Sequence, residues 1–168
     1  MAALHEIPPE EISGNVFDLI GKQWTLITAG TESRFNTMTA SWGGLGVLWG
    51  GPAAFIFVRP QRYTLEFLHQ NPKFTLSFYD ESHRKALNLL GSKSGRDGDK
   101  VAEAGLTPVF ADGTTYFEEA GLVLFCEKWY ESKMQPSGIK KPTAINPFYP
   151  QKDYHHMLVG KITKVLQA

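Results

Sequence analysis

The sequence predicts a mainly β protein, a mostly antiparallel barrel with short helical excursions. Segments of strand composition outnumber helical ones, and the two kinds do not alternate as a doubly wound parallel sheet requires. The chain is 168 residues long, enough to bury on the order of 70% of the surface its unfolded form exposes in one domain. No internal repeat, low-complexity tract or Pro/Gly/Ser linker divides it, so residues 1–168 read as a single domain.

Each element has a local reason. "PPEEISGNVFDLIG" opens with prolines and acids and predicts a short helical turn; "KQWTLITAG", aromatic and β-branched, predicts a strand. Thr31 to Arg34 is a turn, and "FNTMTASW" alternates partly and is extended. "AAFIFV", a continuous apolar run between Pro52 and Pro60, is a buried strand. In "RYTLEFLHQN", Leu65, Phe67 and Leu68 have helical spacing and Asn71-Pro72 ends the helix. "KFTLSFYD" is a strand. "SHRKALNLLG" is a helix with Ser82 as N-cap and Gly91 as stop, and "KVAEAGL" is a second short helix after the polar loop "SKSGRDGDK". A hairpin turns at Asp112-Gly113, and "YHHMLVGKITKVLQA" is a last long strand.

Composition narrows the function. Lys plus Arg and Asp plus Glu both number 17, so no net field draws the chain to nucleic acid or an anionic membrane, and a bound anion needs a local cluster. One cysteine, Cys126, excludes an internal disulfide framework and suits a reducing cytosol; in "LVLFCEKW" it reads as a small buried hydrophobe. No apolar run is long enough to span a bilayer and no leader pattern opens the chain, so a cytoplasmic location is expected. "GGLGVLWGG" lacks the third glycine of a dinucleotide fingerprint, and "GSKSGRDGDK" lacks both phosphate-loop spacing and a nucleophile elbow. His155 and His156 are adjacent, so on a strand they face opposite ways; no metal site is expected from them.

Three segments carry positive chemistry. Thr37, Thr39 and Ser41 recur at period two, placing their hydroxyls on one strand face. "VRPQRYTLEF" sets Arg59, Arg62 and Thr64 beside a helix N-terminus, where free N–H groups favour a phosphate. "SKSGRDGDK" offers Ser92, Lys93, Ser94 and Arg96 on a Gly-containing loop that a ligand can approach closely. These residues alone support a β-barrel with an anion site.

Taken in order, "NTMTASW", "FIFVRPQRYTLEFL", "FTLSFYDESHRKALNLLGSKSGRDGDKVAEAGLTP" and "YHHMLVGKI" resemble the flavin reductase-like family, most nearly its flavoredoxin-like branch. The resemblance spans roughly residues 15 to 166. It implies an FMN-binding split β-barrel, antiparallel and of Greek-key type, with inserted short helices. It further implies that Asn36, Thr37, Met38, Thr39, Ala40, Ser41 and Trp42 line the isoalloxazine and ribityl chain, the strand face being left open. Arg59, Arg62, Tyr63 and Thr64 would meet the phosphate, joined by Ser92, Lys93 and Ser94. His155, five residues before Gly160, has the spacing of a histidine near flavin and nicotinamide, although Tyr154 stands where the family has Asp and Asp153 is one position earlier.

The resemblance also implies a homodimer, with Trp49, Phe148 and Tyr149 as candidate interface aromatics, and a loop over 132–153 covering the flavin. Two functions follow from it: an NAD(P)H-dependent flavin reductase with His155 near the chemistry, or a flavoredoxin-type electron carrier serving a redox protein. A pyridoxamine-phosphate-oxidase-like barrel finds no matching residues.

Overall fold

A computed structural model describes residues 3–168. Its strands are β1 (His5–Ile7), β2 (Thr25–Thr31), β3 (Arg34–Ala40), β4 (Gly43–Leu48), β5 (Gly51–Val58), β6 (Lys73–Phe78), β7 (Pro108–Ala111), β8 (Thr114–Phe117), β9 (Leu122–Lys133) and β10 (His156–Gln167). The main sheet runs β3-β2-β6-β9-β10-β5-β4, with β1 added to β10, and β7–β8 is a separate hairpin. Every pairing is antiparallel. The helices are α1 (Val16–Asp18), α2 (Tyr63–Gln70), α3 (Arg84–Ser92), α4 (Lys100–Ala104) and α5 (Pro142–Ile145). Among the described residues, no helix is long and apolar enough to cross a membrane.

Strand alternation sorts the side chains into two cores. Ile27, Met38, Ile56, Phe74, Leu76, Leu124, Cys126 and Leu158 point inward into one cluster, which joins strands from both ends of the sheet and so requires it to curl into a barrel. Leu65, Phe67 and Leu68 from α2 complete that cluster. The outward residues Leu26, Val123 and Phe125 form a second cluster with Leu87 and Leu90 of α3, Val101 of α4 and Phe117 of β8. The terminal strands β3 and β4 are consecutive in the chain and separated only by Ser41 and Trp42, yet they do not pair with each other. The barrel is therefore split along the β3 edge.

The split barrel, the hairpin and the long last strand agree with the sequence reading, and the Asp112-Gly113 turn has both residues at positive φ, 52° and 77°, as a type I′ turn needs. Cys126 is buried in the inner core, where desolvation pushes its thiol pKa up and leaves it inert. Two expectations need correction, and one segment gains an element. "GGLGVL", to which the sequence reading gives no element, is strand β4: pairing from Gly43↔Ile56 to Leu48↔Gly51 overrides its poor local propensity. Lys22 and Gln23 belong to a π-helical turn, Leu19–Gln23, so β2 starts only at Thr25. Asp80, rather than Ser82, caps the turn leading into α3 by accepting from the Ser82 N–H at 3.0 Å, and α3 runs through Gly91 to Ser92.

Gly160 sits beside a register shift in β10, and a Cβ there would lie 2.6 Å from Phe74 Cζ and 2.8 Å from Cys126 Cβ. Gly160→Ala should destabilise the fold by about 1–3 kcal/mol through overpacking. Gly138→Ala, whose Cβ would meet nothing within 4 Å, should stay within about 0.5 kcal/mol of the parent in urea unfolding.

Candidate functional site

The split leaves a cavity of about 240 Å³ lined by Met38, Thr39, Ala40, Ser41, Trp42, Phe57, Arg59, Arg62 and His155. Five consecutive residues of one segment border it, which alternation forbids for a strand presenting a single face; the cavity lies along the edge of β3. Phe57 and Arg59 reach it from the end of β5, and His155 immediately precedes β10. Trp42 closes one side, its ring 5.3 Å from the His155 ring and 5.5 Å from that of Phe148.

A second cavity, of about 170 Å³, adjoins the first, with Met38 and Arg62 lining both. Its other walls include Asn36, Tyr63, Thr64, Ser92, Lys93, Ser94 and Lys100. Among the described residues no side chain caps α2, which begins here at Tyr63, so the N–H groups of Tyr63 and Thr64 remain available to an anion. Gly95 brings the 92–98 loop onto β3: a Cβ at this position would lie 2.1 Å from Asn36 Oδ1. Asn36 in turn donates to Thr64 Oγ1 at 2.8 Å, which ties β3 to α2.

Two cations bind this corner together. Lys100 Nζ donates to the carbonyls of Leu90 and Lys93, both at 2.9 Å, and Arg62 Nη1 donates to Gly91 O at 2.7 Å. They satisfy carbonyls at the C-terminal end of α3, and among the described residues neither forms an ion pair. Desolvation and then the nearby Arg62 charge push the Lys100 pKa down to about 8; burial also lowers that of Arg62. The corner thus has positive charge that an anion would neutralise.

The residues singled out in the sequence divide as follows. Asn36, Met38, Thr39, Ala40, Ser41, Trp42, Arg59, Arg62, Tyr63, Thr64, Ser92, Lys93, Ser94 and His155 border the two joined cavities. Thr37 does not: it is fully buried, its Oγ1 lying 2.8 Å from Thr28 Oγ1 and donating to Ile27 O at 3.2 Å. Thr37 and Thr39 do share a face, but it is the outer one, and Thr39 Oγ1 donates to Leu87 O of α3. Arg59 lies at the aromatic end, away from the cationic corner. Its Nη1 donates to Asp153 Oδ2 at 2.8 Å, its Nη2 to Phe148 O at 2.9 Å, and its guanidinium stacks 5.0 Å over the Tyr149 ring. Tyr149 is half-buried within the chain, whereas Trp49 and Phe148 are exposed.

His155 is 6% exposed, and its Nδ1 lies 2.7 Å from Tyr149 Oη. Desolvation, helped by the Arg59 charge and only partly opposed by Asp153, lowers its pKa to about 4, so the ring is neutral at pH 7. Asp153 accepts from both Gln61 and Arg59 through Oδ2, and hydrogen bonds from these two hold its carboxyl below the ordinary range.

The flavin reductase like domain matches residues 17–167. The chain belongs to the flavin reductase-like family. No curated protein matches it. Its fold is similar to that of flavoredoxin from Methanosarcina acetivorans, with 21% identity over 94% of this chain and 74% of the other at a TM-score of 0.69. A flavin reductase-like enzyme's FMN-binding domain from Shewanella baltica OS155 matches at 14% identity, 98% and 76% coverage and TM-score 0.69. The NADH:FAD oxidoreductase SgcE6 of Streptomyces globisporus C-1027 matches at 18% identity, 87% and 75% coverage and TM-score 0.66.

Within this flavin reductase-like fold, sequence reasoning missed Phe57, Gly95, Lys100 and Tyr149. Phe57 was hidden because "AAFIFV" is apolar at every position and does not show which side chains face outward, whereas Gly95 was legible as the glycine of the polar loop. Lys100 and Tyr149 carry no local signal, because their partners are 10 or fewer residues away only through turns that the sequence does not specify.

The buried neutral imidazole sets a pH dependence. Its folded pKa, about 4, lies below its ordinary 6.5, so the unfolded chain takes up the proton first. The contribution to stability is intact above about pH 6.5 and is lost as pH falls toward 4. The urea midpoint of the parent should drop more steeply across that window than that of His155→Gln; parallel curves would show that His155 is not buried neutral.

Proposed function

We propose that this chain binds FMN along the β3 edge and acts as an NAD(P)H-dependent oxidoreductase of the flavin reductase type. The observation that supports this is the pair of joined cavities, aromatic and apolar at one end and rich in donors and positive charge at the other. An elongated ligand with a planar ring and an anionic tail fits that polarity. Met38, Trp42 and Phe57 would pack the ring, while Arg62, Lys93, Ser92, Ser94 and the α2 N-terminus would hold the phosphate. Arg59, expected at the phosphate, instead holds the 146–153 segment against the ring end through Asp153 and the Phe148 carbonyl. Bound there, the flavin supplies the ring that accepts a hydride or single electrons.

The protein's own contributions are positioning and electrostatics. Unpaired backbone groups on the β3 edge face the cavity and can donate to polar ring-edge atoms. His155, neutral and held by Tyr149, can exchange a hydrogen bond with a ring or a nicotinamide without adding charge. Trp49, 66% exposed, packs with Trp129 and the exposed Tyr130, and Val47 is 76% exposed. This apolar patch supports a homodimer, which light scattering of the purified chain would report.

The purified protein should be yellow, and the released flavin should chromatograph as FMN rather than FAD. A colourless protein that stays apo after incubation with FMN would overturn the proposal. Arg62→Ala should weaken FMN binding by about 1.5–3 kcal/mol, more than tenfold, in a fluorescence titration; unchanged affinity would remove Arg62 from the site. Steady-state oxidation of NADH or NADPH with excess FMN should show turnover. Negligible turnover beside rapid reduction by a redox protein would instead establish the electron carrier that the flavoredoxin likeness suggests.

A further inference from the structure

Outside the cavities, three metal-ligating side chains from separate elements meet. His69 lies in the last turn of α2, Glu131 near the end of β9, and His156 begins β10. His69 Nε2 lies 2.6 Å and His156 Nδ1 3.0 Å from the same oxygen, Glu131 Oε1, and one ligand atom from each falls within 4.8 Å of the others. The two imidazole centroids are 5.7 Å apart. Two imidazoles bound to one tetrahedral ion, with bonds of about 2.0–2.1 Å, place their ring centres roughly 5 Å apart.

The three positions are set by the fold. Leu68, beside His69, is fully buried in the inner core, and Glu131 faces Leu158 across the β9–β10 ladder. The side chains remain 46%, 29% and 19% exposed for His69, Glu131 and His156, so an ion can enter. Burial disfavours the Glu131 charge, but hydrogen bonds from His69 and His156 outweigh it and hold the carboxyl below its ordinary range, an anionic ligand at neutral pH. Lys128 is the opposing charge nearby; its Nζ is engaged by the Leu68 carbonyl.

We propose that His69, Glu131 and His156 form a divalent transition-metal site of the Zn²⁺ class, with its remaining position open to water. Two imidazole nitrogens and one carboxylate oxygen are a donor set that borderline ions take readily. On binding, the ion takes the place of the ring N–H that points at Glu131 in each imidazole; that proton passes through solvent to the ring's other nitrogen, which leaves a neutral imidazole ligand. Such an ion clips the C-terminal end of α2 to the β9–β10 pair. The site is separate from the flavin cavity and does not depend on the functional reading above.

The test uses the full-length, untagged, chelator-treated chain, with and without FMN, titrated with Zn²⁺ calorimetrically and with Co²⁺ by visible absorption. One ion per chain should bind, and the thermal midpoint should rise with ion concentration. His69→Ala and Glu131→Gln, each checked for native circular dichroism, should weaken binding at least tenfold, as should His69→Gln if the alanine variant misfolds. No binding at millimolar ion, or equal affinity in all variants, would leave only a hydrogen-bonded His–Glu–His trio and overturn the proposal.

Discussion

The site depends on one unpaired strand edge. Among the described residues β3 pairs only with β2, and the chain passes through Ser41 and Trp42 directly to β4 at the other end of the sheet. Closing the barrel by pairing β3 with β4 would satisfy more backbone groups, and leaving it open costs the hydrogen bonds of one ladder. The gap is stable because other contacts compensate: α2 fills the inner core, and α3 packs on the outer face with Gly91 against Thr39. What stays exposed along the edge is backbone polarity bordered by aromatic side chains, a combination suited to a flat ring with polar edges.

The cationic corner follows from the same arrangement. Because α3 ends beside the β3 edge, its last carbonyls point at the gap, and Lys100 and Arg62 bind them. Helix C-terminal carbonyls hold cations favourably but do not neutralise them. Desolvation first and the Arg62 charge second push the Lys100 pKa down to about 8, so the charge is held there at a cost. An anion at this point would relieve the penalty, so helix packing and anion affinity reinforce each other here.

Most strands were legible because the central strands are buried on both faces, which leaves short runs rich in apolar, aromatic and β-branched residues, and turn residues mark their ends. β4 was hidden because its glycines contribute nothing to that signal; its strand conformation comes from its pairing with β5. Around the cavities, local order brought neighbours in the sequence together: fourteen of the residues singled out there border the two cavities. Two residues take partners that their place in the motifs does not show. Thr37 looks equivalent to Thr39 in the sequence, but Thr28 and the Ile27 carbonyl take its hydroxyl into the interior between β2 and β3. Arg59 looks equivalent to Arg62, but Asp153, 94 residues away, fixes it at the other end of the slot. Along residues 38–42 the cavity borders the strand's edge, and side chains from both faces contribute to its wall.

The pair His155-His156 shows why identical neighbours acquire unrelated chemistry. Entering β10, successive side chains point opposite ways. His155 turns into the cavity, where Trp42, Phe57 and Tyr149 surround it and keep it neutral. His156 turns toward the end of α2, where Glu131 and His69 give it polar partners. A shift of one residue in the β10 register would exchange them, bringing the half-exposed ring into an apolar pocket and separating the buried ring from its Tyr149 partner. The β10 register, fixed by pairing with β9 on one side and β5 on the other, therefore decides which of the two rings enters the cavity and which meets Glu131.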